Sequence, residues 1–199
     1  MATSTMSAIL KRIGAKHRGW VFTPRQFRNL GTRAAVDQAL FRLEKSGRIR
    51  RLARGIYEFP KTHPQIGILS PAPEAVAEAL AARTGSRIMV SGATAANQLG
   101  LSTQVPMKNL FLTEGPSRTV QIGNQTISLK HVAPSKMIGA GTEAGNVIQA
   151  VRSFGPEGVT EIHAEALANR LSPPVKKQVK RLAINAPAWS QSILNQISM

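Results

Sequence analysis

The chain has 199 residues, 26 lysines and arginines against 10 acids, and no cysteine, for a formal net charge of +16. That length buries a real core and suits two small domains, while the missing cysteines exclude disulfides, thiolate zinc sites and cysteine nucleophiles. A field of this sign favours polyanions, either nucleic acid or an acidic membrane surface.

The charge is uneven. Met1 to Lys61 holds 14 lysines and arginines against 3 acids, a net +11, and the remainder holds 12 against 7, a net +5. The N-terminus has no apolar signal core and no stretch reaches bilayer length, so the expected location is the cytoplasm. Membrane binding would need a basic amphipathic helix, which only the C-terminal segment offers.

In chain order, Met6, Ile9, Leu10 and Ile13 recur at helical spacing and predict a first amphipathic helix over Ser4 to Lys16. Thr23-Pro24-Arg25-Gln26 supplies an N-cap, a proline at the first helical position and a glutamine able to complete a capping box. A short second helix should follow and stop near Gly31. Thr32 then caps a third helix running to about Ser46, closed by Gly47. With Val36, Ala39, Leu40 and Leu43 as its buried stripe, Ala34, Gln38, Phe41, Arg42 and Lys45 turn outward.

After Gly47 the pattern becomes extended. Arg48 to Leu52 and Ile56 to Phe59 read as a two-stranded ribbon turning at Gly55 and closed by Pro60. Three helices and a basic hairpin predict a winged helix-turn-helix over residues 1–64, in which one helix fits the major groove and the wing lies along backbone or minor groove. Arg42 and Gln38 have the chemistry for bidentate contacts, arginine to guanine and glutamine to adenine, whereas Arg48, Arg50, Arg51 and Arg54 suit phosphates. Arg33 sits in the first turn of the third helix, and Arg25, Thr32 and Lys45 complete the candidate DNA-binding set. A protein-interaction module is the competing reading of the same unit. Tyr57 and Phe59 are expected in the hairpin core, and Phe41 either meets a thymine methyl or packs on the next domain.

Three prolines and a glycine between Thr62 and Pro73 read as a linker, which puts a mixed α/β domain over residues 65–199. Its expected elements are a helix over Pro73 to Thr84, a strand over Arg87 to Val90 and a helix over Ala93 to Leu99. Strands follow over Asn109 to Thr113, Thr119 to Ile122 and Thr126 to His131, the last two joined at Gly123-Asn124. From Thr142 the chain reads as helical, broken at Gly155-Pro156, Pro173-Pro174 and Pro187. On the late helix Lys176, Lys177, Lys180 and Arg181 flank the apolar Val175, Val179 and Leu182. They form a solvated face, a second DNA contact or a docking surface for an acidic partner.

No constellation of residues argues for catalysis, a metal or a cofactor. The four histidines lack metal spacing, and Glu161, His163 and Glu165 lie two apart, which on a helix puts them on different faces. Asp37 is the single aspartate, so the carboxylate cluster of a metal-dependent nuclease is hard to assemble. Ser91-Gly92 reads as an ordinary N-cap in preference to a phosphate loop.

Two stretches nevertheless carry a resemblance. Val36 to Leu43 followed by Gly47 to Tyr57 resembles the third helix and wing of the AbiEi-type antitoxins of abortive-infection systems, and Ser91 to Leu101 with Leu110 to Thr113 resembles their second domain. The resemblance implies an autorepressor that binds repeats in its own promoter and protects the cell from a nucleotidyltransferase-like toxin, chiefly through the second domain. The alternative is a stand-alone winged-helix regulator whose C-terminal domain senses a ligand or a protein. An enzyme acting on nucleic acid is the third reading, disfavoured for want of a catalytic constellation.

Overall fold

Ser4 begins the first helix by accepting a hydrogen bond from the Ser7 amide at 3.2 Å, and α1 (Thr5–Gly14) buries Ile9 and Ile13 on one side. A computed structural model describes residues 4–199 of a mixed α+β protein with several helices and small antiparallel sheets.

After β1 (Val21–Phe22), the expected second helix is a 3-10 turn over Pro24–Leu30, with Gln26 Oε1 accepting from the Thr23 amide at 2.7 Å. The third helix, α2 (Arg33–Lys45), is capped by Thr32, whose hydroxyl accepts from Ala35 N at 3.3 Å. It buries Val36, Ala39, Leu40 and Leu43, the stripe that 3.6-residue periodicity marks out. Gly47 follows in the left-handed region at φ 68°, where a side chain would be strained.

β2 (Arg50–Ala53) and β3 (Ile56–Glu58) form an antiparallel hairpin turning at Gly55, φ 71°. β1 adds to the far side of β3, giving the order β1-β3-β2 with Phe22 opposite Tyr57. These helices and strands enclose an aromatic and aliphatic core. Phe22 and Phe27 meet edge-on with ring centroids 5.4 Å apart, and Trp20 lies 4.7 Å from Phe22. Tyr57 stacks on Phe22, in keeping with its expected place in the hairpin core.

The stretch expected to be an open linker folds back on itself. β4 (Thr62–His63) pairs with β5 (Gly67–Ile68), and α3 (Pro73–Ala82) then packs against β1. The first compact unit therefore runs through Gly85 and takes in Val120–Ile127, so the division falls later than residue 64.

The second unit comprises Ser86–Thr119 and Ser128–Met199. β6 (Ile88–Val90) pairs antiparallel with β7 (Asn109–Thr113), and with β8 (Arg118–Ile122) and β9 (Gln125–His131) the strand order is β6-β7-β9-β8. Between β6 and β7, α4 (Gly92–Gln98) packs along α5 (Glu143–Gly158). The approach needs glycine, because a Cβ on Gly92 would sit 2.5 Å from Ser153 Cβ and 2.8 Å from the Gln149 carbonyl. α5 bends at Gly155, φ 72° and ψ 179°, where the break at Gly155-Pro156 was expected. Then come α6 (Glu161–Arg170), α7 (Pro173–Ala183), opened by prolines, and α8 (Ala188–Ile197), which begins after Pro187. The shared core of these helices is rich in alanine, with Ala95, Ala96, Ala144, Ala150, Ala164 and Ala183 among its buried members.

Candidate nucleic-acid interface

Burying Val36, Ala39, Leu40 and Leu43 forces the opposite side of α2 into solvent. Arg33, Ala34, Gln38, Phe41, Arg42 and Lys45 are all exposed there. Arg33 Nε donates to Asp37 at 2.7 Å, an exposed i,i+4 pair that fixes the arginine's direction at little net gain in energy. The Lys45 ammonium lies 5.7 Å from the Phe41 ring centroid, so Phe41 packs within its own helix surface at 56% exposure.

On the hairpin the arginines divide. Arg48, Arg51 and Arg54 are exposed, and no carboxylate pairs with them among the described residues. Arg50 does not have the free guanidinium that a phosphate contact needs. Its Nε donates to Glu58 at 2.6 Å and its Nη2 donates to the Leu69 carbonyl at 2.6 Å. It ties the hairpin to the chain after β5. The cause is the pleat: Arg50 stands directly opposite Glu58 in the antiparallel register, and Glu58 is 1% exposed. Burial pushes the Glu58 carboxyl up from its ordinary range, against the downward pull of Arg50. Burial likewise raises the Tyr57 phenol, opposed by the neighbouring Arg51.

Thr32 caps α2 through its side chain, which makes it a positioning residue for the helix's first turn. Arg25 leaves the 3-10 turn and donates to the carbonyl of Arg83, at the C-terminal end of α3. A recess of about 210 Å³ opens beside it, lined by Thr23, Pro24, Arg25, Arg28, Arg33, Gly55 and Arg83. An adjoining recess of about 580 Å³ reaches Arg51, Arg54 and Tyr57.

Arg28 and Arg83 stand outside the candidate set drawn from the sequence, and Thr23 enters the sequence reading only as an N-cap. Arg28 was within reach of it, because residues three apart on a 3-10 helix share a side, and Arg28 follows Arg25 by three. Arg83 carried no such signal. It stands far along the chain and joins the surface only because α3 folds against β1.

Lys177, Lys180 and Arg181 are exposed on α7 and Lys176 is half-buried. They belong to the second unit, where Pro174 and Gln178 join Lys177, Lys180 and Arg181 around a shallow recess. Ser91 accepts from the Thr94 amide at 3.3 Å as an N-cap. His163 Nδ1 accepts from the Thr160 amide at 3.2 Å, and its ring stacks 4.6 Å from Phe154, so it caps the N-terminal end of α6. Among the described residues no group of three or more histidine, aspartate or glutamate side chains is placed to hold a metal, and no helix is long and apolar enough to cross a membrane.

The molecule is thus a mixed α+β protein whose first unit displays a helix and a hairpin rich in unpaired cations. By sequence it belongs to a family of unknown function, DUF6088, whose model matches residues 8–180. No curated protein matches it. Among solved structures it is similar to the Rv2827c protein from Mycobacterium tuberculosis, at 15% identity and a TM-score of 0.46, with 98% of this chain and 82% of that one covered.

Proposed function

We propose that the first unit is a winged helix-turn-helix that binds double-stranded DNA, with α2 in the major groove and the β2–β3 hairpin as the wing. The single observation that carries this reading is the one-sided character of α2 and the hairpin. Apolar residues fill the core while Arg33, Gln38, Arg42, Lys45, Arg48, Arg51 and Arg54 stand in solvent. Cations on the hairpin supply sequence-independent affinity through counterion release, and Gln38 and Arg42 read base edges.

We further propose that the whole protein is a non-enzymatic antitoxin of the AbiEi type. In this reading it represses its own promoter through repeats and neutralises a nucleotidyltransferase-like toxin through the second unit. The support is the resemblance of Val36–Leu43, Gly47–Tyr57 and Ser91–Leu101 to that family, together with the cationic first unit.

A footprint on the DNA upstream of its own gene tests the first part, and its length and symmetry report how many copies bind. Affinity is expected to fall steeply between low and moderate salt. Co-expression with an adjacent nucleotidyltransferase-like gene tests the second part, with rescue of growth expected. A protected promoter without rescue leaves a stand-alone regulator, and an unprotected promoter removes the DNA reading altogether.

A further inference from the structure

We infer that the recess lined by Thr23, Arg25, Arg28, Arg33 and Arg83 is a cradle for one phosphoryl group. This inference rests on the DNA reading for its source, a backbone phosphate flanking the bases that α2 reads.

Charge is the first argument. Four arginines from three separate segments line a space of about 210 Å³, and no aspartate or glutamate lines it. Asp37 reaches only the adjoining recess and is already engaged by Arg33. Among the described residues Arg25, Arg28 and Arg83 make no ion pair. Gathering these three unpaired arginines costs free energy that a bound anion returns.

The second argument is independent of charge. Thr23 is 1% exposed, and its hydroxyl oxygen is buried without a hydrogen-bond partner, the Thr23 amide itself being bound to Gln26 Oε1. A buried hydroxyl left without a partner costs about 1–3 kcal/mol, and an anion in the recess that Thr23 lines gives its proton an acceptor.

The third is rigidity. Arg25 bonds the Arg83 backbone, which ties the end of α3 to the 3-10 turn, and the buried Pro24 and Phe27 fix that turn in the core. The 3-10 turn and the end of α3 that carry these arginines are therefore set in place before a ligand arrives. Several arginines and a hydroxyl supplied by different segments suit a tetrahedral oxyanion better than a flat carboxylate, which one guanidinium alone satisfies.

The test uses the full chain and two gentle variants, the double change Arg28→Gln/Arg83→Gln on the exposed surface and Thr23→Val, which keeps the shape and removes the hydroxyl. Inorganic phosphate is titrated while arginine Nε–H and backbone amide resonances are followed by NMR. In parallel, duplex affinity is measured against salt. Phosphate is expected to shift the resonances of Thr23, Arg28 and Arg83 in the wild type and to lose that effect in both variants. The double variant is expected to lower the slope of log affinity against log salt by about 0.9, the value for one phosphate contact, and to weaken all sequences alike.

Phosphate binding with an unchanged salt slope keeps the cradle and assigns it a free phosphoryl ligand. Absence of phosphate shifts together with an unchanged slope overturns the cradle, even where the promoter footprint persists. Loss of duplex binding by the wild type, with phosphate still bound and the variants still deficient, overturns the DNA reading and leaves the cradle standing.

Discussion

The protein has two basic regions, and they are built differently. On α7, Lys176, Lys177, Lys180 and Arg181 flank a helix that buries Val179 and Ala183, so they come from one run of sequence. Around α2 and the β2–β3 hairpin the cations come from a 3-10 turn, a helix, the strand β2 with the turn after it, and the end of α3. A run on one helix is what any solvated face presents, whereas convergence from several elements needs a fold to assemble it. The same comparison separates arginines within the first unit: Arg51 and Arg54 stand free, while Arg50 is tied to Glu58 and Leu69.

The most severe way to break the comparison is to remove the core that holds the converging surface together. Phe27→Ala takes away a fully buried ring in edge contact with Phe22 and Trp20, at a cost of about 3–5 kcal/mol. Chemical denaturation should show that loss, and duplex binding should go with it. A destabilisation below about 1 kcal/mol would mean that the aromatic cluster does not set the scaffold.

Next in size is the contrast between adjacent arginines. Arg50→Ala leaves the buried Glu58 carboxyl unpaired and is expected to cost roughly 3 kcal/mol. Arg51→Ala should cost no more than about 0.5 kcal/mol and should instead lower the salt slope of duplex binding by about 0.9. Thermal melts and salt titrations on the two variants separate the roles. Equal effects on stability would erase the distinction drawn from the register.

Smaller still is the response of α7. Replacing Lys177, Lys180 and Arg181 by glutamine should leave stability within about 0.5 kcal/mol and leave the salt slope of duplex binding where it was. A slope reduced as far as by changes on the hairpin would join the two regions into one DNA surface and end the comparison.

The mildest expected effect is on pH dependence. Because burial raises the Glu58 carboxyl above its ordinary value, the folded protein holds this proton more firmly than the unfolded chain does. The resulting contribution to stability is fully present below the ordinary carboxyl range and is lost as pH rises through the raised value. Glu58→Gln should remove that part of the pH profile, so the stability difference between wild type and variant should move against the wild type across this window. A difference that stays constant with pH would contradict the assignment.

Much of this arrangement was legible in the residues, and what was missed has a common cause. The stripe Val36–Ala39–Leu40–Leu43, the cap at Thr32 and the turns at Gly47, Gly55 and Gly123 act over a few residues, where periodicity and backbone preference govern. β1 is two residues long and offers no alternation to read, and it forms because β3 gives it a partner. Thr62 to Ile68 has a proline, a glycine and the polar residues of a linker, yet it closes as a hairpin. Arg50 looks like its neighbours on paper, and only the cross-strand pairing with Glu58 removes it from the phosphate-binding set.

By itself the sequence determined the charge asymmetry, the capped helices and the hairpin, because helix periods, caps and tight turns draw on interactions between near neighbours. The tertiary structure decided which cations are free, which are bound within the protein, and that Arg28 and Arg83 line a single recess with the buried Thr23 hydroxyl. Those outcomes depend on contacts between segments far apart in the chain, and no local pattern of residues encodes such contacts.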